Sequence, residues 1–491
     1  MIKELYDKIC AGEERRENLI SLKKELKEEK NRKILNQITG NCLDEIMKCL
    51  VDEDAKVRKN AAAVLGQMRC QDALDVLMDA YVEEEQLFVR PEYLAAMAQL
   101  HCESYLPDLR DRLEELLDYD AQEDEKKHIQ AEIGELQELI LSKEGIDKHS
   151  FTGWNRSNEV IFLTLPAFRD TFASEITGKK KLLKSGVRTV VSNMEEAMKI
   201  RTFHEVLFVV HCENALSAEP EKLAEALKES DLMQILTENH KEEGPFYFRL
   251  AVSGEMSLEE RSSFSQKTSM AIQEAFSREL INTTSHYEIE IRLIQNREGG
   301  FVPFLKLYTL PDHRFAYRRY HVAASMRPFI AAGLMELAKP YLKENAQILD
   351  PFCGVGTLLM ERRFLMPVRN AYGIDTFGEA IEKAKANSKI AGMQTNYINR
   401  NFFDFSHKYG FDEIITDMPA GKLTRPELDD LYGRFFEKSA ELLNDQGRII
   451  CFSREMGLMK KQLRLRDDFR LLQEFCIQEK NGAYLFILEK K

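Results

Sequence analysis

The sequence predicts a chain of three parts: an α-helical repeat arm over residues 1–150, an α+β middle over 151–316, and an α/β domain over 317–491. Three observations carry that reading. An apolar pattern returns every 32 residues near the N-terminus, strands alternate with helices through the middle, and ILDPFCGVGT, residues 348–357, sets two glycines between a strand and a helix. The last domain is expected to hold a mostly parallel seven-stranded sheet whose final strand is antiparallel.

Residues 1–150 follow a helical pattern, with glycine and proline rare and no strand-like alternation. Val57-Arg58 recurs as Val89-Arg90, Leu65 as Met97, Leu74 as Leu106 and Leu77 as Leu109, each 32 residues on, while Leu43 and Ile46 precede Leu74 and Leu77 by 31. One helix pair cannot bury its own apolar face, so this period predicts stacked pairs; the alternative is a plain bundle with an accidental repeat. Charge divides the chain at the same place. Residues 1–150 hold 22 of the 69 Lys and Arg and 35 of the 82 Asp and Glu, which accounts for the whole net charge of −13 and leaves the remainder neutral. An acidic surface repels phosphate, so the arm reads as a grip for a protein, a basic one by charge, or as a solvated face.

In the middle, residues 160–163, 206–210, 246–250 and 287–293 read as strands with helices between them, and alternation in the last predicts one exposed face. The run Lys179-Lys180-Lys181, with Lys184 and Arg188, either meets phosphates or is a solvated loop.

The C-terminal part opens with the short apolar run Gln347-Ile348-Leu349, a buried strand ending at Asp350, and a helix pattern begins at Leu358. Gly354 and Gly356 let the backbone approach a ligand, and the helix start offers N–H groups to an anion, although an ordinary tight turn has the same appearance. The next unit sharpens the reading. Ala371-Tyr372-Gly373-Ile374 ends in Asp375, placed to take both hydroxyls of a ribose, and Phe402-Phe403-Asp404 ends a third apolar run with another acid. Two such carboxylates beside one glycine loop suit an adenosine, whereas either alone also serves as a cap or turn residue. One unit later a strand at 413–416 runs into Asp417-Met418-Pro419-Ala420-Gly421. An acidic oxygen and a neighbouring carbonyl, held by proline, can accept both hydrogens of an exocyclic amine and aim its lone pair at an electrophilic methyl. Residues 448–452, 469–475 and 483–488 complete the strands, with an Asn481-Gly482 turn joining the last two. That hairpin, and a first turn without GxGxxG, argue against a dehydrogenase.

With DPFCGVGT, GID and TDMPAGK in this order, residues 317–491 resemble the Rossmann-like methyltransferases that use S-adenosylmethionine, and among them the THUMP-containing guanosine-N2 RNA methyltransferases. YRRYHVAASMRP, residues 317–328, is similar to that family's lead-in to its first strand. The resemblance implies that Asp350, Pro351, Cys353, Gly354, Gly356 and Thr357 hold the methionine end of the cofactor, Asp375 the ribose and Asp404 the adenine amine. It places the target amine on Asp417 and Pro419, with Met418, Ala420, Gly421, Lys422, Arg319 and His321 as contacts to the substrate. DAKVRKNAAAVLG, residues 54–66, resembles a HEAT repeat, and the middle looks like a THUMP module with a ferredoxin-like companion, chiefly through INTTSHYEIEIRL at 281–293. By that resemblance the middle holds RNA, the acceptor end of a tRNA, and delivers a distant base.

One residue departs from the family pattern. Where D-x-P-F/Y-G supplies an aromatic, this chain has Ala420. Base stacking is worth about 1–3 kcal/mol, so its loss costs up to roughly 150-fold in substrate use unless another ring replaces it. Tyr432, Phe435 and Phe436 stand as substitutes or as core. Three functions remain open: RNA guanosine-N2 methylation, tRNA foremost; a binding protein that keeps the fold without the chemistry; and methylation of a protein recruited by the arm. The nine cysteines include no CxxC, no metal site is indicated, and Cys353 has no nearby histidine to make it a nucleophile. The opening MIKEL lacks a signal peptide, and no apolar run reaches the 18 or so residues that cross a membrane, so a cytoplasmic setting is expected.

Overall fold

The computed structural model describes residues 1–119, 121–122, 124–145, 148–419 and 423–491, so Ala420, Gly421 and Lys422 lie outside the described residues. The chain forms two compact units: Met1–Lys148 with Pro245–Arg249 and Leu280–Glu288, and the remainder. No helix among the described residues is long and apolar enough to cross a membrane.

The first unit is built on helices α1 (Ile2–Ala11), α2 (Arg15–Glu25), α3 (Glu29–Thr39), α4 (Asp44–Lys48), α5 (Ala55–Met68), α6 (Leu74–Glu83), α7 (Arg90–Met97), α8 (Leu106–Asp118) and α9 (Lys126–Glu144). The repeat seen in the sequence is a burial repeat: Leu43, Ile46, Val57, Leu65, Leu74, Leu77, Val89, Met97, Leu106 and Leu109 all enter one core. Asp54 starts α5 by accepting the Lys56 N–H at 2.8 Å. The repeated arginines converge on one acid, since Arg58 donates to the buried Glu84 carboxylate at 2.6 and 2.8 Å and Arg90 to its backbone oxygen at 2.8 Å. At Gly66, α5 lies so near α7 that a Cβ would come within 2.8 Å of the Ala96 Cα.

The middle of the chain contributes strands β1 (Asn158–Leu163), β2 (Lys180–Leu183), β3 (Gly186–Val191), β4 (Glu205–Val209), β5 (Phe246–Ser253), β6 (Leu280–Asn282), β7 (Ile289–Gln295) and β8 (Phe301–Leu307). Between them lie α10 (Arg169–Glu175), α11 (Met194–Ala197), α12 (Pro220–Lys228), α13 (Leu232–Asn239) and α14 (Leu258–Ala275). In the second unit the order β2-β3-β1-β4-β8-β7 is antiparallel throughout. In the first, β6 runs parallel to the start of β5, Phe246–Phe248 against Leu280–Asn282.

Two expectations for this region are corrected. The lysine run is exposed, as the solvated reading has it, but it is partly strand: Lys180 and Lys181 lie in β2, Lys180 donates to the Ile176 oxygen at 2.7 Å, and Arg188 is held by Glu159 at 2.7 and 3.0 Å. The alternate face of β7 is also covered, because Glu290 is buried against Arg292, which in turn meets Glu205 of β4, and Lys306 of β8 completes the network. The alternation was between apolar and charged residues, and paired charges can be buried as well as exposed.

The C-terminal domain is a seven-stranded sheet in the order β11-β10-β9-β12-β13-β15-β14. Its strands are β9 (Ala346–Asp350), β10 (Val368–Asp375), β11 (Asn396–Asn399), β12 (Phe411–Asp417), β13 (Leu443–Ser453), β14 (Phe469–Gln478) and β15 (Ala483–Lys490). The first five are parallel, and β15 pairs antiparallel with both β13 and β14, as the terminal turn predicts. Helices α15 (Pro328–Ala338), α16 (Thr357–Leu365), α17 (Gly378–Ile390), α18 (Arg425–Leu442) and α19 (Met456–Leu465) complete it. One boundary differs from expectation. The third strand ends at Asn399, and Phe402–Asp404 is a 3-10 turn whose start is capped by Asn401, accepting the Phe403 N–H at 3.0 Å.

Within the second unit the middle is fastened to this domain. Arg201 donates twice to Glu361 at 2.8 Å, Tyr317 donates to the same carboxylate at 2.6 Å, and the Phe168 ring fills the space where Gly333 lacks a side chain. Beneath the sheet, Arg362 and Glu413 form a fully buried pair at 2.8 and 3.0 Å.

Candidate active site

Asp350, Asp375 and Asp417 are the last residues of β9, β10 and β12, three neighbouring parallel strands, so the sheet order itself gathers them at one edge. Ligands of open α/β sheets bind at this carboxyl edge. The loop after β9 turns on Gly354 (φ 51°) and Gly356 (φ 80°), both left-handed. A side chain at Gly356 would strike the Tyr397 ring, whereas one at Gly354 would enter open space, the room a ligand would take.

Each acid has a distinct environment. Asp350 is buried, accepts the Thr416 hydroxyl at 2.8 Å and the Phe352 N–H at 3.1 Å, and burial pushes its pKa up to about 8. These two bonds brace the loop against β12. Asp375 is half-buried and accepts the Gly354 N–H and the Phe377 N–H, each at 2.8 Å and each on a different oxygen. A carboxylate offers about four lone-pair sites, so two stay open for a pair of hydroxyls. Asp404 lies exposed on the turn after β11, the next strand out. Asp417 has its pKa pushed up to about 6 by burial, and Arg454, donating to it at 3.3 Å, opposes that rise.

Among the remaining expected residues, Cys353 is buried, its thiol pushed well up by burial and by the neighbouring Asp350 and Asp375, and its N–H donates to the Ile374 oxygen at 2.9 Å. It shapes the loop. Pro351 continues the same turn. Met418 is buried in the core with its N–H on the Phe452 oxygen at 2.9 Å, which takes its side chain out of the site, and Pro419 follows half-buried. Arg319 and His321 are exposed; the backbone beside them is pinned to α17, Asn387 exchanging bonds of 3.0 and 2.8 Å with Tyr320 and Lys383 donating to the His321 oxygen at 3.0 Å. Tyr432, Phe435 and Phe436 are fully buried and present no face to a base.

Four contributors were not read from the sequence: Thr416, Asn387, Tyr397 and Arg454. Tyr397 packs against the glycine loop and bonds to Ser388 at 2.8 Å, and Asn387 also reaches the Val355 oxygen at 3.5 Å. Arg454 follows β13, the strand beside β12, and its loop is fixed by Ser453, which bonds Tyr432 at 2.7 Å and accepts the Glu455 N–H at 2.9 Å. The sequence signal for Arg454 is its place just beyond the apolar run of that next strand.

Thr357, first residue of α16, has a buried hydroxyl with no hydrogen-bond partner among the described residues, and the helix start beside it suits a carboxylate. That donor, the open space before Gly354 and the two unused sites on Asp375 fit S-adenosylmethionine. The strand order and this cradle define an S-adenosylmethionine-dependent methyltransferase domain.

Comparison with known proteins gives the same class. Residues 316–481 match the RMKL-like methyltransferase domain, and residues 43–132 match HEAT repeats. The chain is similar to the U6 snRNA (guanine-N(2))-methyltransferase THUMPD2 of Bos taurus, 31% identical over 110 residues, 22% of either chain. It is similar to the tRNA (guanine(10)-N2)-dimethyltransferase of Methanothermobacter thermautotrophicus, 31% identical over 139 residues, 28% of this chain and 40% of that one. The release factor glutamine methyltransferase of Aliivibrio fischeri is 32% identical over 122 residues, 23% of this chain and 41% of its own. The matches thus span less than half the length of these relatives. Among solved structures, TrmN from Thermus thermophilus has the same fold with a TM-score of 0.52 at 19% identity, over 68% of this chain and 99% of that one. The methyltransferase SMU.472 complexed with SAH gives 0.51 at 16% identity, over 68% and 97%.

Proposed function

We propose that this chain transfers a methyl group to the exocyclic N2 of a guanosine in structured RNA, tRNA foremost. The observation that carries the reading is Asp417, a half-buried carboxylate leading into Met418-Pro419 on the strand beside the glycine cradle. When bound, S-adenosylmethionine supplies the electrophilic methyl. The chain supplies position. An exocyclic amine is weakly nucleophilic because its lone pair is delocalised into the ring; hydrogen bonds from both its hydrogens to the Asp417 carboxylate and an adjacent carbonyl hold the lone pair toward the methyl. As the N–C bond forms and the S–C bond breaks, the nitrogen sheds a proton, and an acid poised near pH 6 is matched to receive it.

Two of the relatives are named for guanine N2, one in U6 snRNA and one in tRNA, which supports the target atom. The middle region, fastened through Arg201 and Glu361, is assigned to hold the RNA. A second reading has one observation behind it: the relative named for glutamine methylation is as similar as the other two, and a side-chain amide offers the same planar NH2. Mapping N2-methylated guanosines in a strain lacking this gene tests the proposal. Loss of one or more such guanosines supports it, and an unchanged RNA with an unmethylated protein glutamine replaces it with the second reading.

A further inference from the structure

The arm as a whole is acidic, yet one surface of it is not. Between α2, α3, α5 and α7 lies a groove of about 630 Å³ whose charged lining is Lys23, Arg32, Lys33 and Arg69 against Glu29 and Glu92. Four cations meet two acids in a segment where acids outnumber cations 35 to 22. Both acids are already engaged. Glu29 is held by Lys33 at 2.7 Å, and Glu92 lies between Lys23 at 3.4 Å and Lys59 at 3.8 Å. Among the described residues Arg32 donates only to the backbone oxygens of Leu26 and Lys27, at 2.8 and 3.3 Å, and Arg69 meets no carboxylate.

The floor between these cations is narrow and small. Ala63, Gly66 and Ala96 meet there, where α5 packs directly on α7, so no large side chain rises between the cations. Asn36, Gln67 and Gln99 add carboxamides, which both donate and accept and so match the alternating N–H and C=O groups of an extended peptide.

We propose that this groove is a docking site for an extended acidic peptide segment of a protein partner, its carboxylates taken by Arg69, Arg32, Lys33 and Lys23. The sign of the partner is the reverse of what the arm's net charge alone implies. Net charge acts over distances that salt screens beyond about 8–10 Å, whereas the side chains lining the groove lie within contact range of an occupant. A nucleic-acid strand fits less well, because its evenly spaced phosphates would run beyond the four cations onto the acidic remainder of the arm. The exposed Lys33–Glu29 pair is worth little by itself, so exchanging Glu29 for a partner carboxylate costs little.

The test uses the full chain and three fluorescein-labelled probes at low salt: an alternating Glu-Ala octapeptide, its Lys-Ala counterpart, and a single-stranded RNA octamer, read by anisotropy. The Glu-Ala peptide is expected to bind at least ten-fold more tightly than the other two and to weaken as salt is added. Arg69→Glu and, separately, Lys33→Glu are each expected to lower that affinity at least five-fold while leaving the thermal midpoint within a few degrees. Equal or tighter binding of the Lys-Ala peptide or of RNA, absence of binding by all three, or affinity unchanged in both variants would overturn the proposal.

Discussion

Replacing Asp375 by Ala, and Asp417 by Ala in parallel, separates holding the cofactor from presenting the substrate. Asp375 already gives one lone pair on each oxygen to Gly354 and Phe377, both at 2.8 Å, which leaves two for ribose hydroxyls. Hydrogen bonds to a charged group are worth about 1.5–3 kcal/mol each, so losing two costs at least about 3 kcal/mol, or roughly 150-fold in Kd. The Gly354 N–H also loses its anchor, which adds to the loss. Asp417 meets Arg454 and no residue of the glycine loop among its described hydrogen bonds, so Asp417→Ala should shift cofactor Kd by less than about three-fold, under 1 kcal/mol, while abolishing transfer. Calorimetric titration with S-adenosylmethionine measures the first quantity, and single-turnover transfer to RNA the second. Similar rises in Kd for both variants, or a cofactor affinity unmoved by Asp375→Ala, would refute the assignment.

Other expected outcomes follow from the same geometry. Asp417 must be ionised to accept the amine hydrogens, so transfer should rise through an acid limb near pH 6; it faces Arg454, with Asp350, Cys451 and Tyr432 around it, and Arg454→Ala, which removes the cation that meets it among the described residues, should move that limb to higher pH in a single-turnover pH profile. Ala420→Phe restores the stacking ring of the family pattern and should raise transfer to a cognate RNA by up to roughly 150-fold; an unchanged rate removes stacking as the deficit. Arg362→Met leaves Glu413 charged and unpaired in the interior and should cost about 3–5 kcal/mol, read from the denaturant midpoint.

The strand ends that build the site were legible because each is a short apolar run closing on an acid, and backbone geometry fixes where such a run points. Asp350, Asp375 and Asp417 stand at strand ends as read. Phe402 and Phe403 misled because they are apolar for a different reason: Phe402 packs into the core from a 3-10 turn, and β11 just before it, Asn396–Asn399, is too polar to signal a strand. Non-local pairing hid the rest. Lys180 becomes part of a strand only through β3, Glu290 is buried against Arg292, which Glu205 of β4 also holds, and Arg454 reaches Asp417 only because β13 lies beside β12. The same holds for the groove of the arm, where the charge count gave the net sign and folding gathered four cations against it.

The central claim is transfer to RNA, and its most direct test is incubation of the purified chain with methyl-labelled S-adenosylmethionine and separate pools of RNA and protein. The account predicts label in RNA as N2-methylguanosine, lost in Asp417→Ala. Label confined to protein, or cofactor bound with no label in either pool, would contradict it.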